Sequence, residues 1–177
     1  MVVLIIILCV ILIIGVTVFI GIQSYKKKAE HSRIMEVGYD VLKNDALDFA
    51  LKNNGSEKFR MDQKILLRLR STQMDLDAVF NPEKKIIIGR KKECSVCIHS
   101  KGISGKHCEI QYVNGKIIVR DLNSTNGTML VNKKGKFRVT SNPGEVLMNG
   151  DVIIVDGISI QVESFFLDKE FFRKKTK

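Results

Sequence analysis

Residues 107–121 read His-Cys-Glu-Ile-Gln-Tyr-Val-Asn-Gly-Lys-Ile-Ile-Val-Arg-Asp: two short runs rich in β-branched and aromatic residues, separated by Asn114-Gly115. Asn-Gly between two such runs is a strong hairpin signal, because a two-residue type I′ turn needs left-handed backbone at both central positions. A second hairpin of this kind is read at Asp156-Gly157, between candidate strands 151–156 and 158–163. Working outward, residues 64–70 alternate, with Ile65, Leu67 and Leu69 on one face and Leu66, Arg68 and Arg70 on the other. Further strands are expected at 85–89, 95–99, 128–131 and 137–140. Asn81-Pro82, Asn126-Gly127, Asn142-Pro143-Gly144 and Asn149-Gly150 supply the turns. No amphipathic helix interrupts the series, so residues 62–165 are expected to fold as an all-β sandwich.

The N-terminal side has a different texture. Residues 2–22 carry no charge and only Thr17 as a hydrogen-bonding side chain. As a helix they reach roughly 31 Å, enough for a hydrocarbon core of about 30 Å. A basic leader and a small-residue cleavage site are not evident, so residues 1–23 read as an uncleaved transmembrane helix. Lys26, Lys27 and Lys28 flank its downstream end, which predicts a single-pass protein with its N-terminus outside and the sandwich cytoplasmic. In the segment 24–61, Ile34, Val37 and Val41 step by three and four, as one helix face does, and Asn53-Asn54-Gly55 provides a stop. That linker reads as a helical juxtamembrane spacer or a self-associating stalk. Residues 166–177 read as a basic tail.

The chain carries a net charge of +10, with 21 Lys or Arg against 13 Asp or Glu in residues 62–177. These charges are dispersed rather than gathered on a recognition helix, so nucleic acid is not the expected partner. The four cysteines, Cys9, Cys94, Cys97 and Cys108, are too few for a disulfide scaffold and read as reduced thiols. Cys94, Cys97, His99, His107 and Cys108 have zinc-like spacing, but Cys97 and Cys108 fall where strands bury small apolar side chains; neither metal nor cofactor is expected.

Function is concentrated in three connections. Gly89-Arg90 ends one strand, Ser104-Gly105-Lys106-His107 opens another, and Asp121-Leu-Asn-Ser-Thr-Asn-Gly-Thr128 follows the next hairpin. Arginine offers a charge-assisted fork to phosphate, Ser and Thr hydroxyls donate to its oxygens, and an Asn amide meets both donor and acceptor of a peptide backbone. Lys91, Lys92, Lys101 and Lys106 add positive field. Ser104 with His107 resembles a nucleophile and base, but no orienting acid or oxyanion site can be named, so an enzyme is not expected.

The ordered set GR, SxxH and NSTNGT, followed by Leu147-Met-Asn-Gly-Asp151, resembles the forkhead-associated (FHA) family over about residues 62–165. The resemblance implies an FHA-type β-sandwich that binds phosphothreonine peptides. By that likeness Arg90 and Ser104 contact the phosphate, Thr125 lines its pocket, and Asn126 fixes the ligand main chain. Gly105 is a departure, since many members carry a polar side chain there, often Asn or Arg; only its backbone is left to reach the ligand. Gly89, His107 and Gly127 support the site structurally. The implied partners are threonine-phosphorylated proteins, a Ser/Thr kinase or its substrates. The alternative is a phospho-independent assembly module of a membrane complex, of the secretion or cell-division type.

Overall fold

A computed structural model of the chain describes residues 2–52 and 64–167. The Asn53-Asn54-Gly55 stop and the tail from 168 onward lie outside the described residues. The chain divides into two compact units, Met1–Val37 and Gly38–Lys177.

The first unit lies within helix α1 (Val2–Lys52). Along residues 10–22 its apolar side chains are exposed all round, from Val10 at 48% to Leu12 at 70%. A helix that is apolar on every side is suited to apolar surroundings rather than to one packed face. Thr17, the polar exception, turns its hydroxyl back to donate to the Ile14 carbonyl at 2.9 Å. This helix is long and apolar enough to cross a membrane.

The second unit is a two-layer sandwich. One sheet has the order β2-β1-β11-β10-β7-β8, formed by β1 (Lys64–Ser71), β2 (Leu76–Phe80), β7 (Thr128–Asn132), β8 (Gly135–Arg138), β10 (Val152–Val155) and β11 (Ile158–Leu167). The other has the order β4-β3-β5-β6-β9, formed by β3 (Ile86–Gly89), β4 (Val96–Cys97), β5 (Cys108–Val113), β6 (Lys116–Asp121) and β9 (Glu145–Val146). All pairings are antiparallel except β3 with β4. Both expected tight hairpins form: Asn114 and Gly115 at φ 49° and 80° join β5 to β6, and Asp156 and Gly157 at 50° and 77° join β10 to β11. Leu67, Leu69, Ile88, Ile110, Val119, Leu130, Ile153 and Ile160 fill the space between the sheets. Each buried aliphatic side chain of this kind contributes about 1.5–3 kcal/mol.

The structure corrects several expectations. The chain as a whole is not all-β, since α1 runs for 51 residues. Strand β2 is an addition to the expected set, because Asp77 interrupts its apolar pattern just after Asp75; Asp77 is held by the Arg68 guanidinium at 2.6 Å. The strand expected at 137–140 lies at Gly135–Arg138, where Met129–Asn132 sets its register. The strand expected at 95–99 has only two paired residues, and β11 extends to Leu167.

Residues 38–52 of α1 belong to the second unit and pack on the outer face of β1 and β11. Leu42 is fully buried, and a Cβ at Gly38 would fall 2.6 Å from Leu66 Cδ1 and 3.1 Å from Phe165. Leu66 and Phe165 are cross-strand partners. Asp45 accepts a hydrogen bond from Asn81 Nδ2 at 2.8 Å and pairs with the Lys84 ammonium. The face of β1 at Leu66 is therefore covered, which accounts for the burial of Leu66; Arg68, on the same face, is buried between Asp77 and Glu163 of the flanking strands.

Candidate functional site

The candidate residues lie on loops that leave β3, β4 and β6. Gly89 ends β3 where the chain passes against the loop leading into β5. A Cβ at Gly89 would stand 2.4 Å from the Gly105 carbonyl oxygen and 2.9 Å from Lys106 Cα, main-chain atoms that cannot swing aside. The missing side chain lets the two segments close up. The Arg90 N–H donates to the Ser104 carbonyl at 3.0 Å and the Lys91 N–H to the Gly105 carbonyl at 3.1 Å.

The 122–127 loop arrives from β6. The Thr125 N–H donates to Ser104 Oγ at 3.0 Å, and the Ser104 and Thr125 hydroxyl oxygens are 3.4 Å apart. Asn126 Nδ2 donates to the Gly102 carbonyl at 2.8 Å, which ties the two loops at a second point. Beneath them His107 is fully buried. Its Nδ1 accepts the Ser104 N–H at 3.2 Å, which assigns the ring proton to Nε2, and Nε2 donates to the Gly127 carbonyl at 3.2 Å. One imidazole thus spans the two loops from below.

Asp121, at the end of β6, fastens the same loop to the sandwich. Its carboxylate accepts the Ser124 N–H at 2.9 Å, the Ser124 hydroxyl, and the Thr128 hydroxyl at 2.7 Å. Burial pushes this carboxyl up, but the hydrogen bonds from Ser124 and Thr128 outweigh it and hold the group below its ordinary value of 3.8. The neighbouring Cys108 is buried without charge compensation, and desolvation pushes its thiol up to about 12. A thiol in that state is a packing group, not a nucleophile.

The rim is cationic. Arg90 is exposed and, among the described residues, its guanidinium has neither a hydrogen bond nor an ion pair. Lys92, Lys101 and Lys106 are also exposed, and Lys91 stands 3.7 Å from Glu93. Gly127, at φ +78°, is faced by Arg138 of β8: a Cβ there would lie 2.5–2.6 Å from three guanidinium atoms. On the far side, Ser100 Oγ donates to Asp156 at 2.6 Å, joining the β10–β11 hairpin tip to the loop that carries Gly102 and Ser104.

All eight residues singled out in the sequence therefore lie in one connected cluster. Asp121, Ser124, Gly102 and Arg138 also shape the cluster, although none is among the residues that the sequence motifs single out. Asp121-x-x-Ser124 carries a usable signal, because an Asp side chain often caps the backbone N–H a few residues ahead. Arg138 carries none, since it reaches the loop only through the pairing of β8 with β7.

Residues 86–155, from β3 to β10, match the family model of the FHA domain. The sandwich is an FHA domain. FHA domains are phosphothreonine-peptide-binding modules rather than enzymes. A probable serine/threonine-protein kinase of Dictyostelium discoideum, fhkA, is 32% identical over 99 residues, with 49% of this chain and 15% of the kinase covered. The chain thus spans less than a sixth of that relative's length. Two solved structures are similar. One, from a study of phosphothreonine-dependent FHA domain interactions, is 28% identical with a TM-score of 0.45, covering 56% of this chain and 95% of the other. The FHA domain of an Arabidopsis thaliana hypothetical protein is 25% identical with a TM-score of 0.49, covering 61% and 91%.

Proposed function

We propose that this chain is a membrane-anchored receptor for threonine-phosphorylated proteins, carrying no catalytic activity of its own. The observation that carries the reading is the exposed Arg90 guanidinium, without a protein partner among the described residues, at the edge of a loop cluster that also presents the Ser104 and Thr125 hydroxyls. In this reading Arg90 and Ser104 take the phosphate, Thr125 lines the pocket beside it, and Asn126 meets the peptide main chain. Gly105 contributes its backbone N–H. Gly89, His107 and Gly127 hold these groups in place from behind.

The apolar helix supports anchoring, and the three lysines after residue 23 favour a cytoplasmic FHA domain, the side on which Ser/Thr kinases and their substrates occur. The partner class is accordingly a phosphorylated kinase or kinase substrate, recruited to the membrane surface. The test is fluorescence anisotropy of the full chain in detergent micelles with a phosphothreonine peptide library and its unphosphorylated counterpart. Binding is expected only to the phosphorylated set and is expected to be lost in Arg90→Ala. Equal binding to both sets, or binding indifferent to Arg90→Ala, would refute the proposal. Orientation is tested separately, by protease protection of the FHA domain in sealed vesicles.

A further inference from the structure

The position after Ser104 is glycine, and the structure shows what occupies the space a side chain would fill. A Cβ at Gly105 would stand 3.1 Å from Cε, 3.3 Å from Cγ and 3.4 Å from Cδ of Lys91. Three carbons of one stem at nearly equal distance mean that the lysine lies along the glycine rather than pointing at it. Its starting point is fixed by the Lys91 N–H bond to the Gly105 carbonyl at 3.1 Å, next to the Arg90 bond to the Ser104 carbonyl at 3.0 Å. Arg90 and Lys91 are thereby paired, residue for residue, with Ser104 and Gly105.

At the tip, the Lys91 ammonium has Glu93 at 3.7 Å, with both side chains about 60% exposed. Such a pair is screened and weak, and a phosphate dianion competes for the ammonium with roughly twice the charge. Lysine suits this duty because its aliphatic stem can lie over the Gly105 Cα while the charged head stays in water.

We propose that Lys91 is a second phosphate-binding cation of the site, admitted by the glycine at position 105, and that it supplies the contact a side chain at 105 would otherwise make. This rests on the phosphothreonine reading. Gly105 then does not weaken the site; it reassigns one of its contacts to the neighbouring loop. A side chain at 105 displaces the Lys91 stem, which is exposed and free to move, so the two positions are coupled.

The experiment is a double-mutant cycle on the full chain in detergent micelles, read by anisotropy with a fluorescein-labelled degenerate phosphothreonine peptide pool. Lys91→Gln is expected to weaken binding about five- to tenfold, the size expected for an exposed ion pair with a doubly charged partner. Lys91→Arg is expected to retain most of the affinity. In a Gly105→Asn background, Lys91→Gln is expected to cost less than about twofold. Loss of binding in Arg90→Ala together with less than a twofold effect of Lys91→Gln would overturn this inference and leave the phosphothreonine reading standing. An equal effect of Lys91→Gln in both backgrounds would overturn the role given to Gly105. No binding of the pool by the unaltered chain would overturn the inference and the reading together.

Discussion

Replacing His107 by leucine tests how the site is held. The two side chains are of similar volume, so the change removes hydrogen bonds while leaving little cavity. Two bonds are lost: the Ser104 N–H to Nδ1, and Nε2–H to the Gly127 carbonyl, both 3.2 Å. An unsatisfied buried polar group costs about 1–3 kcal/mol. Gly127 is buried, which puts its carbonyl near the middle of that range, whereas Ser104 is half-buried and water can partly replace the ring. The expected loss is therefore about 3 kcal/mol. With a urea m-value of about 1–3 kcal/mol/M, the unfolding midpoint falls by about 1–3 M.

The assay is urea denaturation of the full chain in micelles, followed by far-UV circular dichroism, beside phosphopeptide anisotropy on the same samples. His107→Leu is expected to lower stability and, by loosening both loops, to weaken binding about tenfold. His107→Asn, whose Oδ1 can accept the Ser104 N–H but whose short side chain does not reach Gly127, is expected to recover about 1 kcal/mol of that loss and to leave about 2 kcal/mol. A midpoint shift of less than about 0.3 M in His107→Leu would refute the bridging role. Binding lost at unchanged stability would show the ring touching ligand instead.

Other perturbations separate the remaining contributions. Gly89→Ala places a Cβ against the Gly105 carbonyl and Lys106 Cα, so it is expected to destabilise by more than about 2 kcal/mol and to weaken phosphopeptide binding, read by the same two assays. Leu42→Ala is expected to cost about 2–4 kcal/mol by emptying the contact between α1 and the sandwich, detected as faster amide exchange in residues 38–52. Asp121 binds a proton less readily in the folded chain than in the unfolded one, so its stabilisation is present above about pH 4 and is lost as pH falls through the lower folded value; Asp121→Asn is expected to flatten that acid limb of urea midpoint against pH. Cys108 has the opposite sense: folding disfavours its thiolate, so stability falls as pH rises past the ordinary thiol value of 9.0, and the residue is expected to resist thiol reagents until urea unfolds the domain, while half-buried Cys97 reacts earlier.

What the sequence made legible follows from how local the signal was. Asn114-Gly115 and Asp156-Gly157 encode their turns in the two residues that form them, and both hairpins appear at the expected register. The candidate residues stood out because Arg, Ser, Thr and Asn on loops are the side chains an anionic ligand would call for, and the structure brings them into one loop cluster. Strand β2 was illegible because its aspartate is stabilised by a group distant from the strand's own pattern: Asp77 is held by Arg68, which also reaches Glu163 at 3.1 Å. The packing of residues 38–52 was hidden for a related reason. Ile34, Val37 and Val41 mark an apolar helix face, but nothing in that spacing says that Gly38 meets Leu66 and Phe165 or that Leu42 is buried. Arg138 likewise reaches Gly127 through sheet pairing alone.

The site combines two sets of residues with different physical obligations, and their effects are separable. Gly89, His107 and Asp121 satisfy backbone and buried polar groups beneath the loops, so altering them changes stability and binding together. Arg90 and Lys91 are exposed and take no part in the buried core, so under the proposed reading altering them is expected to change binding and leave stability unaltered. Arg90 and Lys91 are tied to the Ser104–Gly105 segment by main-chain bonds, their amides donating to the Ser104 and Gly105 carbonyls. Because backbone bonds do not depend on side-chain identity, the contacts made at 91 and 105 can be exchanged without disturbing the frame that holds them. Plotting the loss of phosphopeptide affinity against the loss of stability is therefore expected to put variants at 90 and 91 along the affinity axis and those at 89, 107 and 121 along a diagonal; a variant at 91 falling on that diagonal would mean that the lysine belongs to the frame rather than to the reading surface.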